Sequence, residues 1–181
     1  MTKKLDVLVD TVVVINAHEN GYWEHLCNKH CIYLPNSVIE DEAFYFTSNK
    51  GKTALTPSKW LQQKKAFCIE AQPSDIVKLT EKLSNDFLHT LDSGELEALA
   101  ILLSENYPEL LFTTADKAAV KALGVLNLSY KGISVECLLK HLPSAKNKLK
   151  PHFKKDWFIK GTSEGLLEQN LFLKKEPLIT K

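Results

Sequence analysis

Residues 5–15 are almost continuously apolar and rich in valine. Such a run predicts a strand buried on both faces, as in a parallel sheet. Asp10 sits inside it, followed by Thr11. A charge there is costly unless it is paired or holds a metal. A strand ending near Asp10 would instead put the carboxylate at the C-terminal sheet edge, where open α/β sheets bind ligands. The pattern then predicts a short helix over 18–29 and a second strand over 31–34. Pro35-Asn36-Ser37 reads as a turn and helix start, and Ile39, Glu42, Ala43 and Phe46 share one stripe of a helix over 38–46. Residues 47–58 are polar and turn-rich and read as a loop.

The second half repeats the alternation. A short strand over 67–71 precedes a helix over 73–84, started by Pro73, Ser74 and Asp75. Asp92 or Ser93 caps a helix carrying Glu95, Glu97, Ala98, Leu99, Leu102 and Leu103. A strand over 110–114 follows. A helix over 116–123 is closed by Gly124, a short strand covers 125–128, and a helix covers 132–142. Strands alternating with helices predict a three-layer α/β/α domain with a mostly parallel central sheet. That domain spans 1–143, and 144–181 form a helical C-terminal extension. Phe153, Trp157, Phe158, Leu166, Leu167, Leu171 and Phe172 are too apolar for a free tail and should pack on the body or on a partner.

Composition changes this picture in two ways. The 181 residues carry a net charge of +1, but residues 1–139 hold 13 lysines against 18 acids, whereas 140–181 hold 10 lysines against 4 acids. An acidic body that can hold cations therefore carries a basic tail suited to phosphates. All 23 basic residues are lysine, so phosphate contacts must rely on point charges, backbone N–H groups and neutral polar side chains. The four cysteines, with no apolar stretch long enough to span a bilayer, point to free thiols in a reducing cytoplasm and to no membrane partner.

Four acidic positions lie beside a strand end or a helix start. They are Asp10, the Glu40-Asp41-Glu42 cluster, Glu95 and Asp116. The C-terminal ends of parallel strands share one edge, so carboxylates far apart in sequence would meet there. Carboxylates without basic partners repel each other and favour a hard divalent cation. Each also has a structural reading: Glu95 suits a helix N-terminus, Asp116 can cap the next helix, and 40–42 can be a solvated face. Asp10, which breaks an apolar strand, is the least readily explained this way.

These residues resemble a family. VLVDTVVVINA, PNSVIEDEAF, LDSGELEALAILLSE and LLFTTADKAAVKALGV resemble, in order and across 5–130, the four acid-bearing segments of PIN-domain nucleases, a group that includes the toxin ribonucleases of bacterial toxin–antitoxin pairs. The resemblance implies a divalent-metal-dependent endoribonuclease using Mg²⁺ or Mn²⁺. It also implies an RNA substrate, an antitoxin protein as partner, and a homodimer as a further assembly to test. Asp10, Glu42, Glu95 and Asp116 would be the metal-binding, catalytic set, with Asp41 the runner-up to Glu42. Thr11, Thr114 and Lys117 would meet the substrate or orient a ligand. Val12 stands where the family often has a polar residue, and Ala115 where many relatives have a further acid. That departure leaves two alternatives, a one-metal enzyme and a catalytically inactive PIN-fold binding module. A flap-type DNA nuclease would need more helical elements than this chain can supply.

Two other features carry less. GKT at 51–53 evokes a phosphate-binding loop, but Phe46 stands where its first glycine is required. His25, Cys27, His30 and Cys31 match no standard zinc spacing.

Overall fold

The structure is a computed structural model that describes residues 4–40, 45–48, 51–104, 106–142, 145 and 148–174. Four parallel strands form the sheet, in the order β5-β2-β1-β6. They are β1 (Asp6–Val9), β2 (Cys31–Pro35), β5 (Phe67–Ile69) and β6 (Leu111–Thr113). The register pairs Leu8 of β1 with Tyr33 on one side and Phe112 on the other. Successive side chains of β1 feed opposite layers. Val7 and Val9 join a core with Ile32, Leu34, Val13, Val14 and Trp23, whereas Leu8 joins Phe112, Leu99, Leu123 and Phe158. This is the three-layer α/β/α arrangement that the alternation predicted.

Chain direction matters for the site. From β1 the chain moves outward to β2 and β5, then returns to place β6 on the other side of β1. The reversal leaves a crevice between the C-terminal ends of β1 and β6, where open parallel sheets bind ligands.

Several elements differ from the sequence reading. The first apolar run is not one strand: β1 stops at Val9, and α1 (Thr11–Glu19) takes up Val12 to Ile15. A run of this length fits a buried helix as well as a strand. Asn16, polar within it, is buried on α1 and accepts a 2.5 Å hydrogen bond from the Tyr22 hydroxyl. A separate helix, α2 (Trp23–Lys29), follows.

Helix α3 (Asn36–Glu40) is short. The expected continuation to Phe46 fails, since Phe46 lies in β3 (Tyr45–Ser48), antiparallel to β4 (Gly51–Ala54). This hairpin replaces the expected loop. Its β4 residues are all exposed and polar or small, so they carry no alternating apolar signal. It is followed by α4 (Pro57–Gln62). Asp41 and Glu42 lie outside the described residues.

Helices α5 (Pro73–Lys82), α6 (Asn85–Leu88) and α7 (Ser93–Leu103) cover one face. Glu97 of α7 is buried and ties three segments together. Its carboxylate accepts from the Ser37 N–H at 2.7 Å, the Ser37 hydroxyl at 2.5 Å and the Ala71 N–H at 3.1 Å. It therefore holds the start of α3, and with it the chain that leads into 41–44. Glu97→Ala strands three half-buried donors and should cost about 2 kcal/mol in a urea melt. A loss under about 0.5 kcal/mol would show that these bonds are not formed in solution.

Helix α8 (Lys117–Val125) extends beyond Gly124, so Gly124 does not close it. Residues 125–128 form no strand. The sheet's continuation past β6 comes instead from a parallel bridge between Phe112 and Gly132, with the Ile133 N–H donating to the Phe112 carbonyl at 2.9 Å. Where a helix was expected over 132–142, α9 (Val135–Leu138) is four residues long.

After a 3₁₀ turn at Pro151–Phe153, the extension forms α10 (Lys155–Leu167) and α11 (Gln169–Phe172). Helix α10 crosses α8 through glycine. A Cβ on Gly124 would lie 2.0 Å from the Thr162 carbonyl oxygen, and one on Gly165 2.0 Å from that of Lys121. Phe153 and Phe158 are buried. Leu166, Leu167 and Leu171 do not pack on the body but are exposed, which leaves the partner as the expected alternative; on α10 it is the glycine and Thr162 face that is turned to α8. Among the described residues, no helix is long and apolar enough to cross a membrane.

Candidate active site

The crevice at the strand reversal is a cleft of about 580 Å³. It is lined by Asp10, Asp92, Glu95 and Asp116, with Thr11, Val12, Ile15, Ala115, Lys117, His152 and Trp157 around them. Three of the four acids expected to act together are therefore in one place. The fourth, Glu42, lies outside the described residues.

Each acid reaches the cleft from its own element. Asp10 follows β1 and starts α1; its N–H donates to the Thr113 carbonyl at 3.1 Å, which ties it to β6. Its Oδ2 accepts from the Thr114 hydroxyl at 2.7 Å, and that hydroxyl oxygen accepts from the Asp116 N–H at 3.0 Å. Thr114 is thus the clamp between the two strand ends, its hydroxyl holding the Asp10 carboxylate. Asp116 caps α8, with Oδ1 accepting from the N–H groups of Ala118 at 2.6 Å and Ala119 at 3.3 Å. Glu95 forms a capping box with Asp92: the Glu95 N–H donates to Asp92 Oδ1 at 2.8 Å, and the Asp92 N–H donates to Glu95 Oε2 at 3.1 Å. The structural readings therefore hold, with Asp116 capping α8 and Glu95 at the N-terminus of α7, and both side chains line the cleft.

The electrostatics are those of acids without enough compensation. Burial raises the Glu95 pKa to about 9; the charges of Asp116, Asp92 and Asp10 add to this, against the lowering effect of the Asp92 N–H. The cleft's nearest lysine, Lys117, leans away to Glu164 at 3.6 Å. Hard carboxylate oxygens with an excess of negative charge fit a divalent cation such as Mg²⁺ or Mn²⁺. Among the described residues, no three such side chains converge as they stand into a finished ion site. The caps account for this, since Glu95 Oε2 and Asp116 Oδ1 are turned to backbone N–H groups.

Two features suit a phosphate. Helix α1 begins at the cleft with no capping side chain on its N-terminus, and exposed N–H groups there attract anions. Lys117 lines the cleft and brings a cation to it; the Thr11 hydroxyl oxygen is buried beneath, without a hydrogen-bond partner among the described residues.

Sequence reasoning missed Asp92, His152 and Trp157. Asp92 was legible as a cap, and its three-residue spacing from Glu95 placed it beside the site. His152 and Trp157 arrive from the extension, whose docking no local pattern specifies. Burial, then Lys150, lowers the His152 pKa, so its ring is neutral near pH 7. Away from the cleft, burial pushes the Cys27 thiol up to about 12, which makes it an unreactive core group.

Glu95 has a measurable consequence. The folded chain without metal keeps a proton that the unfolded chain releases near the ordinary value of 4.5. Between that value and about 9 the native state binds more protons, so stability falls as pH rises through this window. Glu95→Gln keeps an acceptor for the Asp92 N–H and removes the titration. Urea melts at several pH values should show a flatter decline and a more stable variant at alkaline pH. A wild-type protein that gains stability over the same window would contradict the assignment.

No family model, curated protein or solved structure matches this chain.

Proposed function

We propose that this chain is a divalent-metal-dependent endoribonuclease of the PIN-like kind. The observation that carries the reading is the group of Asp10, Asp92, Glu95 and Asp116 in one cleft at the strand reversal, where burial first, and the neighbouring acids after it, raise the Glu95 pKa to about 9. Such a group is costly to fold and is relieved by a bound cation.

Asp10, Glu95 and Asp116 would hold the ion, with an acid of 40–42 as the remaining candidate. A bound cation supplies Lewis acidity toward a phosphate oxygen and lowers the pKa of water. The chain's own groups do the rest. Thr114 fixes the Asp10 carboxylate against β6. The α1 N-terminus receives a non-bridging phosphate oxygen, and Lys117 offsets phosphate charge. Water adds to phosphorus and gives up a proton to solvent, the bond to the leaving ribose oxygen breaks, and that oxygen takes up a proton from solvent to leave as a hydroxyl.

A second reading, an inactive binding module, draws on Ala115 beside Asp116 and on the capping roles of Glu95 and Asp116. Purified protein incubated with labelled RNA and Mn²⁺ or Mg²⁺ separates the two. The nuclease reading expects internal cuts that EDTA abolishes. Intact RNA with both metals favours the binding module.

A further inference from the structure

Trp157 differs from the other two tryptophans. Trp23 and Trp60 are buried at 2% and 8% exposure in the α1–α2 layer, whereas Trp157 is half-buried and lines the acidic cleft. Its side chain packs against the core that holds Phe158 and Leu123 while remaining partly exposed. His152 meets it edge-on, with ring centroids 6.3 Å apart. The indole is thus a supported aromatic surface at the mouth of the cleft.

Beyond it the cleft continues into a smaller cavity of about 80 Å³, lined by Lys117, Trp157, Lys160, Gly161 and Glu164. Trp157, Lys160, Gly161 and Glu164 fall at helical spacing on one face of α10. Gly161 lies against Val120, where a Cβ would meet the valine at 2.7 Å, and contributes no side chain to the cavity. Lys117 and Lys160 both reach Glu164, at 3.6 and 4.0 Å, through ion pairs that are long and largely solvent-exposed. Pairs of this kind are weak, and a phosphate can replace the carboxylate at little cost.

An aromatic face beside two displaceable cations, continuous with the acids, is the arrangement that binds single-stranded nucleic acid: a base stacks while the neighbouring phosphate meets lysine. Inside a duplex the neighbouring pairs cover both faces of a base, so that only its two end pairs could meet the indole, whereas every base of a single strand can. We infer that the extension gives the cleft a single-strand subsite, in which Trp157 stacks an unpaired base and Lys117 and Lys160 hold the adjoining phosphate, with Glu164 occupying the lysines until substrate arrives. This deepens the nuclease reading and rests on it for the choice of ligand.

The test measures binding by the full-length chain in EDTA, so that no cleavage is needed. The probes are a short labelled single-stranded RNA and the same sequence as a blunt duplex. The single strand should bind more tightly and quench tryptophan fluorescence. Trp157→Ala should weaken it roughly 5- to 100-fold. Trp157→Phe, which keeps an aromatic face, should retain most of the affinity and lose the quenching. Glu164→Gln should tighten binding by freeing the lysines. Equal affinity for duplex and single strand, or unchanged single-strand binding by Trp157→Ala, overturns the subsite. Quenching that persists in Trp157→Phe does so too, since it assigns the contact to another tryptophan. These outcomes are independent of catalysis. Binding as described without metal-dependent cleavage would reject the nuclease and keep the subsite. Cleavage of duplex and single strand alike, unaffected by Trp157→Ala, would do the reverse.

Discussion

Asp10→Asn is expected to lower metal-dependent RNA cleavage by at least roughly 100- to 1,000-fold while the fold persists. The substitution is nearly isosteric. Its side-chain oxygen can still accept from Thr114, which donates to Asp10 at 2.7 Å, so the clamp between β1 and β6 survives. What is lost is one negative charge among Glu95, Asp92 and Asp116. Without metal that charge is a cost, because like charges crowd a buried site. The melting temperature of the metal-free variant should therefore equal or exceed that of the wild type, and added Mn²⁺ should stabilise it less. Circular dichroism and cleavage assays on the same preparations check both halves. Unimpaired cleavage would assign the activity to another site.

Gly165→Val should have the largest effect on stability. The α8–α10 crossing depends on backbone lying against backbone. A Cβ at 165 would stand 2.0 Å from the Lys121 carbonyl oxygen, and a backbone atom cannot rotate away. The helices must separate, and Phe158, which meets Gly132 and Leu123, would be drawn from its place. A loss of about 3 kcal/mol or more follows, equivalent to roughly 10 °C in a chain of this size. Among larger changes, truncation after Pro143 should likewise expose that apolar layer, so that the protein aggregates or melts early. It also removes His152 and Trp157 from the cleft. A truncated chain with an unchanged melting temperature would mean that the extension does not pack as described.

The parts of the fold that were legible in the sequence are those in which local and tertiary signals agree. Strands β2, β5 and β6 are short apolar runs bounded by turn residues, and α5 and α7 carry start signals at Pro73 and Asp92. The first strand was overextended because valine serves a buried helix and a strand alike. The pairing of β3 with β4 was missed because β4, exposed throughout, shows no alternation. Gly124 resembled a helix stop, yet its small size serves a helix that arrives forty residues later. The acids were legible because strand ends of a parallel sheet converge wherever the chain goes between them. The contribution of His152 and Trp157 was not, because it depends on how α10 docks.

The central claim is that these carboxylates hold a divalent cation, and calorimetric titration of Mn²⁺ into the metal-free protein tests it most directly. Because Glu95 is protonated at neutral pH, binding should release about one proton per ion. That release is visible as heat that changes with the ionisation enthalpy of the buffer. The account predicts saturable binding in the wild type, loss of affinity in Asp10→Asn and Asp116→Asn, and loss of the proton release in Glu95→Gln. Binding that is absent from the wild type, or unchanged in all three variants, would contradict it.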